Sequence, residues 1–105
     1  MINKPIEYVA HKISGDVKGN IKKILAINRK LSLQNEVIPF IPYLADVQSL
    51  DDSNPIERRL GFSHNKEFFK RKLFDQMGIY SEVSKGITEE LEWCKEFGIK
   101  VIQRC

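Results

Sequence analysis

The residue that most directly suggests chemistry is a glutamate inside an apolar helical pattern near the end of the chain. From Ile87 to Gly98 the apolar residues recur at helical spacing, in which successive side chains lie about 100° apart. Measured from Ile87, Glu90 falls at about 300°, between Phe97 and Cys94 and inside the apolar stripe. The other acids of this segment fall on the opposite, solvent-facing side: Glu89, Glu92 and Glu96. One carboxylate in this helix therefore points toward the core.

A carboxylate on an apolar face is costly, because loss of water disfavours its charged form. It persists where a partner, a cavity or a helix end stabilises the charge. Glu90 lies near the start of its helix, where the backbone N–H groups favour negative charge. Periodicity leaves two interpretations open: a functional carboxylate in a cleft, or a side chain at the edge of the stripe that binds a nearby loop amide.

The elements that must position this residue alternate along the chain. The predicted strands are 6–10, 37–41, 76–80 and 99–102. The predicted helices are 20–34, 54–74 and 87–97. Pro39 and Pro42 shorten the second strand, and Asn54-Pro55 is a typical helix start. The second helix is expected to break near Gly61, and the polar segment 46–54 is expected to have no regular structure.

This order predicts one α/β domain over residues 1–105. Its fold class is three-layer and flavodoxin- or Rossmann-like, with a parallel sheet of about four to five strands and helices on both faces. Ligands bind such sheets beyond the carboxyl ends of the strands. Those ends correspond to the loops 11–19, 42–54 and 81–86, and the last of these directly precedes the helix of Glu90.

The composition excludes several other classes of function. The chain has 105 residues, 42% of them hydrophobic and 30% charged, and a net charge of +3, which is weak for a protein that binds a nucleic-acid polymer. The basic stretch Lys66–Lys72 contains two phenylalanines and reads as the solvated face of an amphipathic helix rather than as a nucleic-acid patch. No apolar run is long enough to span a membrane, and residues 1–5 lack the pattern of a signal peptide. We therefore expect a cytoplasmic protein without a membrane partner.

Metal and disulfide sites are also not expected. Cys94 lies in a helical pattern and Cys105 is the last residue, so a disulfide framework is not indicated. His11 and His64 are isolated, and no cluster has the spacing of metal ligands. We expect no metal and no cofactor.

Three segments resemble a known family. Tyr8-Val9-Ala10-His11-Lys12-Ile13-Ser14-Gly15 resembles the opening of the nucleoside 2-deoxyribosyltransferase-like family, in which a strand ending in an aromatic residue precedes a glycine-containing loop. Ser84-Lys85-Gly86-Ile87-Thr88-Glu89-Glu90 resembles its second signature, in which a Ser or Asp precedes the nucleophilic Glu by six residues. Phe97-Gly98-Ile99-Lys100-Val101-Ile102 is similar to its closing glycine and strand. The similarity is greatest to short uncharacterised members from phage and prophage settings.

The resemblance implies an N-glycosidase or 2-deoxyribosyltransferase that acts on a nucleoside or nucleotide. Glu90 would attack the anomeric carbon as the catalytic nucleophile, and Tyr8 would orient it by a hydrogen bond. The residues implied to bind substrate are His11, Ile13, Ser14, Gly15, Ser84 and Gly86. Members of the family commonly form pairs in which residues of the neighbouring chain close the pocket. The resemblance therefore implies a homo-oligomer, expected here to be a dimer. Pairing would also cover four phenylalanines: Phe62, Phe68, Phe69 and Phe74.

Alternatives to each assignment remain open. Tyr8 also reads as a half-buried strand aromatic, and the 11–19 loop as a plain connector. Members that cleave nucleoside monophosphates often carry Arg at the position of Ser14, and here Lys12 or Lys18 could supply that positive charge instead. Ser84 stands where the transferases have Asp. The competing functions are a non-catalytic nucleotide-binding protein with the same pocket and a small interaction domain in which Glu90 is structural.

Overall fold

The computed structural model describes residues 3–105 as four strands and four helices. Met1 and Ile2, which belong to the segment that we compared with a signal peptide, lie outside the described residues. In chain order the elements are β1 Ile6–Ala10, α1 Val17–Gln34, β2 Ile38–Phe40, α2 Leu44–Ser49, α3 Pro55–Lys70, β3 Gln76–Ile79, α4 Lys85–Phe97 and β4 Lys100–Gln103.

The four strands form one parallel sheet in the order β2-β1-β3-β4. The chain moves from β1 to β2 in one direction across the sheet, and then from β2 past β1 to β3 and β4 in the other. Because such crossovers are right-handed, α1 covers one face of the sheet and α3 and α4 cover the opposite face. The predicted three-layer, Rossmann-like α/β fold is therefore confirmed.

The main core lies between β1, β3 and the helices α3 and α4. Tyr8 is fully buried, and its ring centroid lies 4.8 Å from that of Phe69 and 5.1 Å from that of Phe74. Trp93 of α4 lies between two rings of α3, at 4.9 Å from Phe62 and 5.1 Å from Phe69. These edge-to-face contacts fix how α3 and α4 pack against each other.

Two predicted loops contain more helix than expected. α1 begins at Val17 rather than Asn20, because the carboxylate of Asp16 accepts a hydrogen bond from the N–H of Gly19 at 3.1 Å and caps the helix. The connection 46–54 was wrongly expected to be irregular, since α2 occupies Leu44–Ser49. A helix of six residues is too short to show an apolar period, and its N-cap, Tyr43, makes no side-chain capping bond that would mark its start.

The bounds of α3 and α4 also differ from the prediction. α3 runs through Gly61 without a break and ends at Lys70, so the expected break and the extension to Phe74 were wrong. Asn54 caps α3 as predicted, by accepting from the N–H of Ile56 at 2.9 Å. α4 begins two residues before Ile87, because Ser84 is its N-cap. The last two residues of the predicted loop 81–86 therefore belong to the helix.

The four phenylalanines that we expected a second chain to cover are mostly buried within this chain. Phe69 and Phe74 are buried within the chain and Phe68 is half-buried, which leaves Phe62 as the exposed member of the four. Within residues 3–105, none of the helices combines the length and the apolar character that crossing a bilayer would require.

Candidate active site

A cleft of about 980 Å³ opens at the carboxyl ends of the parallel strands. Its wall contains residues from each of the three loops expected to surround a ligand, together with the exposed ends of α3 and α4. The volume lies within the range of small-molecule sites. A cleft thus lies where the sequence placed the ligand site, and the binding of a ligand in it stays a prediction.

Glu90 lies in the wall of this cleft, in the second turn of α4. Its Oε2 atom accepts a short hydrogen bond from the hydroxyl of Tyr8 and a second, of 3.1 Å, from Nδ2 of Asn65. Nδ2 of Asn65 also donates to the Tyr8 hydroxyl oxygen at 2.8 Å. β1, α3 and α4 each contribute one member of this triangle, which brings together the predicted pair Tyr8 and Glu90.

The electrostatic surroundings of Glu90 make its carboxyl group weakly acidic. Burial raises its pKa to about 7, against the opposing effect of the hydrogen bonds from Tyr8 and Asn65, and the charge of Glu89 adds to the rise. Burial together with the charge of Glu90 raises the pKa of Tyr8 well above its usual value. Tyr8 therefore keeps its proton at neutral pH and acts as a hydrogen-bond donor to the carboxylate.

The two oxygens of Glu90 differ in their surroundings. Both donors bind Oε2, and no described residue donates to Oε1. If Oε1 of Glu90 were fully buried, it would be a buried polar atom without a partner. Among the described residues the one such atom is Oδ1 of Asn65, so Oε1 of Glu90 is reached by solvent. Since Glu90 lines the cleft, this arrangement leaves one oxygen held and the other available to a ligand.

The start of α4 forms one side of the cleft. Ser84 and Gly86 both line it, as predicted for residues that contact a ligand. The Oγ atom of Ser84 accepts from the N–H of Ile87 at 3.2 Å, so its own hydrogen remains free to donate. The capping residue that begins the helix thus also faces the space in front of Glu90.

The loop after β1 forms the opposite side. His11, Ile13 and Ser14 line the cleft, and the side chain of Asn20 holds the loop by donating to the carbonyl of Ile13 at 2.9 Å. Nδ1 of His11 lies 2.7 Å from the carbonyl oxygen of Lys12. A carbonyl only accepts, so Nδ1 carries the hydrogen, and a neutral ring then has Nε2 as an acceptor.

Three residues that the resemblance brought into consideration are not in the cleft wall: Gly15, Lys12 and Lys18. Gly15 has a φ of 97°, and an added Cβ would meet no atom within 4 Å, so its described role is the left-handed turn that leads into α1. Lys12 pairs with Glu82, and Lys18 is exposed on α1. Neither lysine lines the cleft, whereas Arg58, Arg59 and Lys85 do.

Two neighbours of Glu90 and Tyr8 were missed in the sequence. Asn65 lies three residues after Phe62 and four before Phe69, so it is a polar residue on the apolar side of its helix, the same signal that identified Glu90. Tyr43 donates to the carbonyl of Val9 at 2.6 Å, and its ring centroid lies 5.6 Å from that of Tyr8. It stands in a segment without a recognisable pattern, so nothing in the sequence indicated it.

The fold and the site define a class: a parallel α/β protein with a buried, hydrogen-bonded carboxylate in a cleft at the carboxyl edge of its sheet. The chain belongs to the family described as a domain of unknown function, DUF7768, whose model matches residues 5–104. No curated protein and no solved structure matches the chain.

Proposed function

We propose that this protein cleaves the N-glycosidic bond of a nucleoside or nucleotide, by hydrolysis or by transfer of the sugar to a second base, with Glu90 as the nucleophile. The observation that carries the proposal is the Glu90 carboxylate, held through Oε2 by Tyr8 and Asn65 while Oε1 remains free beside a cleft of about 980 Å³. A nucleophile needs this combination of a fixed orientation and an open reacting atom.

The proposed reaction has two displacements. Oε1 forms a bond to the anomeric carbon while the bond to the base nitrogen breaks, and the base leaves with that electron pair and takes up a proton from solvent. A water molecule, or a second base, then forms its own bond to the anomeric carbon while the bond to Oε1 breaks, which releases Glu90 as a carboxylate and a proton from the attacking group to solvent. Two inversions retain the configuration of the sugar.

Tyr8 and Asn65 have a defined part in this reaction. As donors to Oε2 they stabilise the carboxylate before attack and again when Glu90 leaves the sugar. Their contacts are the main support, beside the sequence resemblance, for relating this family to the nucleoside 2-deoxyribosyltransferase-like group. We propose a cytoplasmic enzyme that takes a small nucleoside or nucleotide as its substrate.

A non-catalytic nucleotide-binding protein is the second candidate. It is favoured by the pKa of about 7, raised by burial, which leaves a large fraction of Glu90 neutral at physiological pH. A neutral carboxyl group donates a hydrogen bond to a ligand but does not attack it. Both candidates use the same cleft and differ in whether a bond is broken.

The test is a panel of nucleosides and nucleoside 5′-monophosphates incubated with purified protein and scored for free base by chromatography. We expect at least one substrate to release base, Glu90→Gln to abolish release, and Glu92→Gln, an exposed acid on the same helix, to leave it unchanged. Equal release by wild type and Glu90→Gln would exclude this mechanism. Ligand-dependent thermal stabilisation without any base release would favour the binding protein.

A further inference from the structure

Asn65 lies on α3 beside Glu90 and Tyr8, and no sequence motif assigned it a function. Its Nδ2 group lies within donating distance of two acceptors, the Tyr8 hydroxyl oxygen at 2.8 Å and Oε2 of Glu90 at 3.1 Å. The amide therefore binds both members of the predicted catalytic pair. It does so from α3, an element that contains neither of them.

The other end of the same amide is left without a partner. Oδ1 of Asn65 is fully buried, and no described residue donates to it. A buried carbonyl without a partner destabilises a protein. Turning the amide over would not remedy this, because it would place Oδ1 against the acceptor Oε2 and bury the N–H groups instead. The observed orientation is therefore set by Glu90 and Tyr8.

Packing between the helices does not require this amide. The contact of α3 with α4 is made by Phe62 and Phe69, whose rings lie on either side of Trp93. The described hydrogen bonds of the Asn65 side chain go to Tyr8 and Glu90. An apolar residue of similar size would fill the same space and avoid the buried, unpartnered carbonyl.

We propose that Asn65 is a positioning residue, which fixes Glu90 and Tyr8 relative to each other and keeps Oε1 of Glu90 turned toward the cleft. The catalytic consequence rests on the function proposed above, whereas the geometric part does not. An asparagine suits this task because its amide N–H group reaches both partners and carries no charge, so it does not neutralise the carboxylate as an arginine or lysine would.

The groups around Glu90 determine how this can be measured. Tyr8 from β1 and Asn65 from α3 donate to it, and Glu89 of α4 repels it. Burial, and after it the charge of Glu90, raises the pKa of Tyr43 and of Cys94. Asn65 does not ionise, so its removal changes the titration of Glu90 without removing a charge or a second titrating group.

The experiment is an NMR titration of the Glu90 side-chain carboxyl carbon in wild type, Asn65→Leu and Asn65→Asp, with Lys66→Gln as an exposed neighbouring control. Loss of a hydrogen bond to a charged group corresponds to about one to two pH units, so we expect Asn65→Leu to raise the midpoint by that amount. Asn65→Asp, which has nearly the same shape, should raise it at least as far. Lys66→Gln should leave it in place.

An unchanged midpoint in Asn65→Leu would overturn the proposal, and so would a shift confined to Asn65→Asp, because repulsion alone explains that result. If Asn65→Leu does not fold, Asn65→Ala takes its place, with the same expected rise in the midpoint and the same overturning result. With an active wild type, Asn65→Leu should lower kcat roughly tenfold to a hundredfold with a smaller change in KM. A wild type that releases no base would count against the proposed enzyme alone, since the titration needs no turnover.

Discussion

Glu7 and Tyr8 are neighbours in β1, and their side chains belong to two separate carboxylate clusters on opposite faces of the sheet. Tyr8 donates to Glu90 on the face covered by α3 and α4, whereas Glu7 is itself a buried carboxylate on the other face. Burial would raise the pKa of Glu7, but the hydrogen bonds from Arg104, Tyr80 and Gln76 hold it below its usual value. Glu90 has no cationic partner among its described contacts, and its pKa is raised.

Glu90 should make the stability of the protein depend on pH. Burial raises its folded-state pKa to about 7 from a usual value of 4.5, so its contribution is most favourable below the unfolded-state pKa and is lost as the pH rises through 7. We expect the free energy of unfolding of wild type to fall by roughly 2–3 kcal/mol relative to Glu90→Gln between about pH 5 and pH 8. Urea denaturation of both proteins at the two pH values measures this. Parallel pH dependences in the two proteins would contradict it.

The same ionisation should appear in the rate of base release. In the proposed reaction the attacking form of Glu90 is the carboxylate, and burial raises the pKa of this group to about 7. We expect kcat/KM to rise about tenfold per pH unit below pH 7 and to level off above it. A profile that falls as the pH rises would indicate that the protonated form is the active one, contrary to nucleophilic attack.

The Glu7 cluster should be a strong determinant of stability. Arg104 donates to Oε1 of Glu7 at 2.6 Å, and Gln76 donates to the same atom at 2.6 Å. Arg104→Met would leave a fully buried carboxylate without its cation, and we expect a loss of about 3 kcal/mol in the free energy of unfolding. Lys100→Met, an exposed change on β4, is the matched control. Adding Glu7→Gln to Arg104→Met should restore part of the loss, and a double variant as unstable as the single one would contradict the pairing.

Two glycines should respond in opposite ways to alanine. A Cβ on Gly78 would lie 2.8 Å from the Tyr80 ring and 2.8 Å from Cδ of Glu7, so Gly78→Ala should destabilise the fold by about 1–3 kcal/mol. A Cβ on Gly86 would meet only Oγ of Ser84, at 3.8 Å. Gly86→Ala should therefore be neutral or stabilising by up to about 1 kcal/mol, because alanine favours the helix. Thermal unfolding of the two variants compares them directly, and equal losses would be inconsistent with this packing.

The expected homodimer remains a prediction, and α3 offers a surface for it. Ile56, Leu60 and Phe62 are 72%, 46% and 44% exposed, and Phe62 borders the cleft. We expect light scattering to return twice the mass of one chain, and Leu60→Lys to return a single mass. Leu25→Lys, at a position of α1 that is 47% exposed, should not change the mass. A monomeric wild type would exclude pairing.

The fold and half of the site could be predicted because they depend on regular patterns. β1 is a short run rich in strand-forming residues and α4 holds its apolar period over 13 residues, so the direction of Glu90 follows from its sequence position. α2 was missed because six residues do not establish a period. The contribution of Asn65 was missed for a different reason: its position on α3 is visible in the sequence, but its partners depend on how α3 packs against α4, which no local pattern encodes.

The indole of Trp93 lies between Phe62 and Phe69, and each of the two helices so joined also carries one polar member of the triangle, Asn65 or Glu90. We expect a smaller or differently shaped ring at position 93 to rotate α3 relative to α4 and to separate the amide of Asn65 from the carboxylate of Glu90. In a domain of this size the packing of the interior and the geometry of the cleft thus depend on the same side chains. A chain that stays folded after one of the three rings is replaced can still have lost the contact between Asn65 and Glu90.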